Sequence, residues 1–302
     1  MLRFIKRVDW ILLIQILEDT ALRGKLLFLM LIMKVIIFND KNNFEGSLNI
    51  INNTYGKGNR RFWDFDKCIQ FMFQKLKGLE GFKDKELELV KIYLYTGKYN
   101  SEVVSNFSWQ CMQKVKELRE MVKKEESLLK DLERQNIDSA ILSKIKSHVK
   151  SVKETFEKKI NEYLGKIDKQ KRNFSGQKIF FEKLDKNPLI ELRTTPLKQA
   201  DGEIYQKGVD GKIVTDLVNL AHMRAYDVAL LLGGDTDIIE AIKLVRQNLS
   251  KTVVVVACYN HGESGQTNIS DVKDKCDFFI NLHECKKELF DMSEPLRKKE
   301  DK

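Results

Sequence analysis

Two acidic residues directly follow one long apolar run. The residues from Val228 to Leu232 are all apolar, Gly233 and Gly234 come next, and Asp235 and Asp237 follow them. Such a run is typical of a strand buried on both faces of a parallel sheet. The glycines allow a tight turn, so the acids are expected at the carboxyl end of the strand, where open α/β sheets place their ligand sites. Since two unpaired carboxylates there repel each other, a hard divalent cation is the natural partner.

Two further acids have positions that favour the same site. Asp40 follows a short apolar strand predicted from Val35 to Phe38, so it is also expected at a carboxyl-end tip. Asp210 comes directly before a predicted helix, where free backbone N–H groups and the helix dipole favour a carboxylate. Helix capping alone is the other role that this position allows. Asp216 lies further along the same predicted helix, either towards the cleft or at the surface.

The segments around these acids alternate between strands and helices. Strands are predicted over residues 35–38, 89–95, 188–193, 228–232, 252–257 and 278–282, and helices over 64–77, 177–186, 212–224, 237–249 and 270–276. This alternation predicts an α/β fold with a mostly parallel sheet and helices on both faces.

A long polar segment interrupts the alternation. From residue 107 to 171 there is no Pro and a single Gly, and apolar residues recur at steps of three and four. That pattern predicts an amphipathic seam on two helices, and Asp138 is a good N-cap for the second one. We therefore expect an antiparallel helical hairpin over residues 106–170, inserted between strands of the α/β domain. Its surface is either a solvated coiled coil or an arm that binds nucleic acid or a partner.

Composition limits the remaining possibilities. The net charge of +9 favours an acidic partner, with nucleic acid first. Residues 1–32 are predicted to form an apolar N-terminal extension, but charged residues at 18, 19, 23 and 25 interrupt it, so no membrane span is expected. Residues 286–302 are predicted to be a charged tail. The five cysteines form no Cys-x-x-Cys pair, which favours a reducing cytoplasm.

Four segments together resemble the motifs of NYN domains, which are LabA-like members of the PIN-like nuclease superfamily. In chain order they are FNDKNN (38–43), KGVDGKIVTDLVNLA (207–221), YDVALLLGGDTDI (226–238) and CDFFINL (276–282). The resemblance covers about residues 33–105 and 171–285 and does not extend to the hairpin. It implies a PIN-like, Rossmann-type fold and a metal-dependent endoribonuclease. The implied Mg²⁺ or Mn²⁺ ligands are Asp40, Asp210, Asp235 and Asp237, with Asn43 as a polar companion and Asp277 as an outer acid.

The implied chemistry agrees with the residue types. Mg²⁺ prefers a few carboxylate oxygens and keeps several waters, one of which can attack a phosphodiester in line. Because clustered acids repel phosphate, substrate binding needs cations in nearby loops, and the candidates are Lys41, Arg193 and Lys207. Trp63 is a candidate for stacking on a base, so single-stranded RNA is the expected substrate.

Three residues depart from the pattern of the family. Lys41 stands where the family usually has Gly, Gly233 stands where it usually has Ser or Thr, and Ile238 stands where it usually has an aromatic residue. The Lys41 ammonium could hold a phosphate, or it could replace the metal by pairing with the acids. The alternative function is therefore an inactive module that binds RNA or a protein partner, or self-associates, through the hairpin. A phosphatase is disfavoured, because the first strand ends without an Asp-x-Asp pair.

Overall fold

The computed structural model describes residues 32–56, 61–135, 137–200, 202–248, 252–259 and 269–295. The strands are β1 (Ile32–Asp40), β2 (Arg61–Phe62), β3 (Glu86–Lys98), β4 (Ile190–Pro196), β5 (Lys198–Ala200), β6 (Glu203–Tyr205), β7 (Val228–Leu232), β8 (Val253–Cys258), β9 (Phe278–Asn281) and β10 (Glu294–Pro295). The helices are α1 (Lys41–Gly56), α2 (Phe65–Lys77), α3 (Ser101–Glu133), α4 (Ser139–Leu184), α5 (Val209–His222), α6 (Ile239–Asn248), α7 (Ile269–Lys273) and α8 (Lys286–Met292).

Six strands form one sheet in the order β4-β3-β1-β7-β8-β9. Strand β1 pairs in parallel with β3 and with β7, and β8 pairs in parallel with β7 and with β9. The predicted α/β fold with a mostly parallel sheet is therefore confirmed. In register, Asn39 lies opposite Leu232 and Asp40 lies opposite Tyr95, so the carboxyl ends of β1 and β7 meet at one edge of the sheet.

Helices cover both faces of this sheet. All five residues of β7 are buried, as its unbroken apolar sequence predicts. On one face, Phe44, Leu48 and Ile51 of α1 join a core that also contains α2 and alternate residues of β1, β7 and β8. On the other face, Ile213 of α5 lies with Phe38 and Leu231 around a small cavity. Because both faces are covered, β1 and β7 are rigid supports for the residues at their ends.

Helix α1 is not among the predicted helices, because the polar residues that follow the first strand carry no apolar periodicity. The helix begins directly after β1 because the Asp40 carboxylate accepts hydrogen bonds from the backbone N–H groups of Asn42 and Asn43, at 3.1 and 3.2 Å. A polar segment that looks like a loop is therefore a capped helix start.

The first part of the predicted charged tail packs against the α/β core. Leu289 of α8 is fully buried, and Phe290 and Met292 pack against the same core. Lys67 and Glu294 form an ion pair at 2.9 Å beside the short β2–β10 ladder. Residues 286–295 are therefore joined to the core by apolar contacts, an ion pair and strand pairing.

The chain divides into two compact units, and the second contains residues 96–188 and 194–209. Within it, α3 and α4 form a hairpin, and ion pairs between Glu126 and Lys153 and between Glu133 and Lys146 show that the helices are antiparallel. Asp138 caps α4 through the N–H groups of Ala140 and Ile141. The helix that was predicted over residues 177–186 is the last part of α4, because Gly176 alone does not end a helix of otherwise favourable residues.

No helix among the described residues is long and apolar enough to cross a membrane. The predicted extension lies outside the described residues, except for Ile32.

Two aromatic residues of α3 allow a matched test of the hairpin core. Phe107 is 2% exposed and packs with Cys111 and Ile167, whereas Trp109 is 64% exposed. We expect Phe107→Ala to destabilise the hairpin by about 3–5 kcal/mol, and Trp109→Ala to change its stability by less than about 0.5 kcal/mol. Urea unfolding followed by helical circular dichroism measures both. Equal effects of the two substitutions would contradict this packing.

Candidate metal centre

Asp40 ends β1 and is the most buried acid at the carboxyl edge of the sheet, at 6% exposure. Its Oδ1 atom accepts the two backbone hydrogen bonds at the start of α1. Its Oδ2 atom accepts one bond, from Asn43 Nδ2 at 2.8 Å. Because a carboxylate oxygen has two lone pairs, Oδ2 keeps one for a further ligand.

Asp235 reaches the same edge through the turn after β7. Gly233 has φ of +140°, a conformation that favours glycine, and its N–H donates to Ala257 O of β8 at 3.0 Å. A Cβ atom at Gly233 would lie 3.3 Å from the Cβ atoms of both Asp40 and Asn43. The glycine is therefore required by its conformation and by the close approach of β1. Asp235 Oδ1 caps the following 3₁₀ turn by accepting from Asp237 N at 3.0 Å.

Asp210 comes from a third element, the first turn of α5. A carboxylate there is favoured by the free N–H groups at the start of the helix. The face of α5 that carries Ile213 and Leu217 is buried, which fixes how the helix lies on the sheet.

The three acids converge. Asp40, Asp210 and Asp235 each offer one carboxylate oxygen, and these three atoms lie within 4.8 Å of one another. Oxygen ligands on one octahedral Mg²⁺ lie roughly 3 to 4 Å apart, since each bond is about 2.1 Å long. Small side-chain rotations would bring the three oxygens to that spacing. The residues present therefore fit a hard divalent cation.

Asn43 connects two of these acids. Its Nδ2 atom donates to Asp40 Oδ2 at 2.8 Å and lies 3.4 Å from Asp235 Oδ2. An amide donor shared by two carboxylates reduces their mutual repulsion and holds both side chains in place. Asn43, which the family resemblance implies as a polar companion, thus lies between the two acids.

The pKa values of Asp40 and Asp210 are both raised, as is expected of carboxyl groups that share one site. Burial raises the pKa of Asp40 from 3.8 to about 6; the nearby Asp210 and Asp235 also raise it, while its bonds with Asn43 act in the opposite direction. Burial also raises the pKa of Asp210, with further contributions from Asp235 and Asp237. Charged oxygens held together in a poorly hydrated site favour a cation among them.

The structure places the other predicted site residues differently. Asp237 is exposed and lies outside the group of three. Lys41 Nζ pairs with Glu45 at 2.7 Å. Lys207 is exposed and belongs to the second compact unit. Asp277 lies just before β9, at the opposite end of the strand, where it accepts from Val254 N and pairs with Arg246.

Arg193 belongs to a network that the sequence analysis did not predict. Its guanidinium lies 4.8 Å from the centre of the Tyr93 ring and pairs with Glu191 at 3.0 Å and with Asp216 at 3.4 Å. Tyr95 OH donates to Asp216 Oδ2 at 2.9 Å. Arg193 and Asp216 therefore tie α5 to β3 and β4, and the guanidinium is committed to these acids. The apolar pattern of β3 does not indicate that the hydroxyl groups of its tyrosines take part in polar contacts.

A comparison of two Gly→Ala variants distinguishes the strain at Gly233 from the general effect of replacing a glycine. We expect Gly233→Ala to destabilise the protein by about 1–3 kcal/mol, since the new Cβ would combine an unfavourable φ with crowding of Asp40. Gly165→Ala is the control: this glycine is inside α4 with open space at its Cβ, so alanine should stabilise the helix by up to about 1 kcal/mol. Thermal unfolding of both variants measures the difference. A neutral Gly233→Ala would contradict the geometry of the turn.

Comparison with known proteins adds two partial similarities. A segment of 46 residues, 15% of this chain, is 44% identical to an uncharacterized protein, y4oD, of Sinorhizobium fredii; this chain spans about a fifth (22%) of the length of that relative. A crystal structure of a protein of unknown function from Vibrio parahaemolyticus is 15% identical, with a TM-score of 0.40, and the similarity covers 83% of this chain and 93% of that one. A similarity at this level says nothing about activity.

The family comparison is more informative. The model of the NYN domain matches residues 105–283, which include Asp210, Asp235 and Asp237, while Asp40 and Asn43 come before the matched region. This match covers more than half of the sequence, and the chain therefore belongs to the NYN domain family of the PIN-like nuclease superfamily.

Proposed function

We propose that this NYN domain is a metal-dependent endoribonuclease that hydrolyses RNA phosphodiesters with Mg²⁺ or Mn²⁺. The observation that carries the proposal is the convergence of Asp40, Asp210 and Asp235 from three separate elements, with oxygens within 4.8 Å of one another. Membership of a nuclease superfamily supports the reaction class. Single-stranded RNA is the proposed substrate.

Asp40, Asp210 and Asp235 would hold the ion. When bound, Mg²⁺ or Mn²⁺ supplies a positive charge for the phosphodiester and lowers the pKa of a bound water. Asp40 offers the free lone pair of Oδ2, because its Oδ1 is occupied by the backbone of α1. Asn43 Nδ2 contacts both Asp40 and Asp235 and so holds the two carboxylates in place. We assign Asp237 a supporting role, in which its backbone N–H fixes Asp235.

Substrate binding needs positive charge from outside the acid cluster. Lys41 and Arg193 are two of the predicted candidates, and both form ion pairs with carboxylates. Lys41 lies at the start of α1, where it could exchange Glu45 for a phosphate, since an exposed pair of this kind is worth about 0.5 kcal/mol or less. We place this activity in the cytoplasm, because the cysteines at 68, 111, 258, 276 and 285 are all buried free thiols, a state that a reducing compartment preserves.

A second candidate is a domain that binds RNA or a protein partner without cutting RNA. The excess of Lys and Arg in α4 favours it, since a basic helix can bind RNA without a catalytic site. Metal binding and cleavage distinguish the two candidates, because a binding module needs neither.

Asp235→Asn tests the site directly. The substitution keeps the shape of the side chain and removes a charge that the ion requires, so we expect Mn²⁺-dependent cleavage of single-stranded RNA to fall by at least about 100-fold with the fold intact. Asp84→Asn is the matched control, because it removes an exposed carboxylate from the turn before β3. Cleavage is followed with a labelled oligonucleotide, and the fold by circular dichroism.

If the Asp235→Asn variant cleaves RNA at the rate of the wild type, Asp235 does not belong to the catalytic site. RNA binding by the unmodified protein, with neither Mn²⁺ binding nor cleavage, would instead favour the second candidate.

The raised pKa of Asp40 predicts how pH affects the metal-free protein and metal binding. Because the folded state favours protonated Asp40, ionising it costs stability as pH rises from about 4 to 6, up to about 3 kcal/mol above pH 6. A metal requires the ionised form, so Mn²⁺ should raise the melting temperature more at pH 7.5 than at pH 5.

Asp40→Asn is the comparison that isolates this carboxyl group. The metal-free variant should be more stable than the wild type at pH 7.5, should lose that advantage at pH 4, and should respond little to Mn²⁺. Thermal unfolding at each pH measures these differences. An equal Mn²⁺ response of the wild type at pH 5 and at pH 7.5 would contradict the assignment.

A further inference from the structure

Helix α1 is rich in asparagine. Five of the eighteen Asn residues of the chain lie within its 16 residues. Asn is a weak helix former, because its amide competes for the hydrogen bonds of the backbone, and Gly46 in the middle of the helix is less favourable still. Residues that weaken an element without an evident structural return are expected at functional sites.

Three of these asparagines form one row on the solvent side of the helix. Successive helix residues are rotated by about 100°, so Asn42, Asn49 and Asn53 lie within roughly 40° of one another. All three are exposed. The opposite side of the helix is buried in the core through three apolar residues, Phe44, Leu48 and Ile51. This packing turns the row outwards, and we call Asn42, Asn49 and Asn53 the amide row.

The amide row is open to a ligand. Within the described part of the chain, neither the Asn49 nor the Asn53 side chain forms a hydrogen bond. Gly46 lies beside the row with open space at its Cβ position, so a ligand can approach the helix closely there. The two charged residues of α1, Lys41 and Glu45, pair with each other at 2.7 Å. The row therefore offers hydrogen bonds and almost no net charge.

The amide row begins at the acid cluster. Asn42 donates its backbone N–H to Asp40 Oδ1 at 3.1 Å, and the next residue, Asn43, contacts both Asp40 and Asp235. From Asn42 to Asn53 the row extends about 16 Å along the helix axis, within the same compact unit as the three acids. A polymer held at the cluster therefore has a polar, uncharged surface beside it that is longer than one monomer.

We propose that the amide row of α1 binds the bases of the RNA strand next to the phosphodiester that is cut. The proposal rests on the proposed function for the identity of the polymer. Each carboxamide has one acceptor oxygen and two N–H donors, and single-stranded RNA exposes base edges that such groups recognise. These contacts give affinity that does not depend on the phosphates, which the acid cluster repels.

The test compares two matched double variants of the full chain. One changes the row, Asn49→Ala and Asn53→Ala. The control changes Asn106→Ala on α3 and Asn161→Ala on α4, which are also exposed residues inside helices. Binding of a fluorescent single-stranded RNA of mixed sequence is measured by anisotropy in EDTA at several salt concentrations. Thermal unfolding of both variants is followed by circular dichroism.

We expect the row variant to bind RNA about tenfold more weakly, because hydrogen bonds to the bases are lost. Its dependence on salt should be that of the wild type, because no phosphate contact is removed. Its melting temperature should not fall, because alanine is the better helix former, so that weaker binding cannot result from unfolding. The control variant should bind RNA as the wild type does.

Wild-type affinity of the row variant would overturn the proposal, as would equal losses in both variants or a weaker dependence on salt in the row variant. A wild-type protein that binds no single-stranded RNA would also overturn it.

The outcome is separate from that of the cleavage assay, because no divalent cation is present in EDTA. Loss of RNA binding in the row variant, together with no cleavage by the wild type in Mn²⁺, would contradict the nuclease activity and support the row as an RNA-binding surface. Cleavage by the wild type, together with wild-type binding by the row variant, would contradict the row alone.

Discussion

The arrangement depends on one electrostatic constraint: three carboxylates from distant parts of the chain, one of them buried, are held together at one edge of the sheet. Asp40 is 6% exposed and has Asp210 and Asp235 as neighbours. Such a cluster is costly in the free protein, because the Asp40 charge is poorly hydrated and the three carboxylates repel one another. The cost is offset by rigid β1 and β7, by the N–H groups of α1 and by the Asn43 amide. A bound cation would convert the same repulsion into affinity.

The sheet order explains why these residues meet. Parallel strands end at the same edge, and β1 lies directly beside β7 in the centre of the sheet. Asp40 and Asp235, separated by almost two hundred residues in sequence, therefore become neighbours. Gly233 makes the contact close enough, since a side chain there would touch both Asp40 and Asn43. Glycine at this position thus has a steric reason in this chain.

The sequence was most informative where pattern and chemistry coincide. The unbroken apolar run of β7 and its terminal acids predicted a buried parallel strand with a site at its end, and the structure shows the strand and brings Asp235 to Asp40. Asp210 was ambiguous between a cap and a site residue; it is in the first turn of α5 and also in the cluster.

The features that the sequence did not predict depend on specific side-chain contacts, which the pattern of apolar residues does not reveal. The polar residues 39–43 contain a helix start because Asp40 caps it, and Arg193 is held by Asp216 and Tyr93 because α5 lies over β3.

The central claim is that Asp40, Asp210 and Asp235 bind one divalent cation. The most direct measurement is an anomalous difference map from crystals soaked in Mn²⁺ at neutral pH, collected at a wavelength where manganese scatters anomalously. The account predicts a peak within bonding distance of one oxygen from each of these three carboxylates, with Asp40 contributing Oδ2. Ordered carboxylates with no peak between them, or a peak at another site alone, would contradict it.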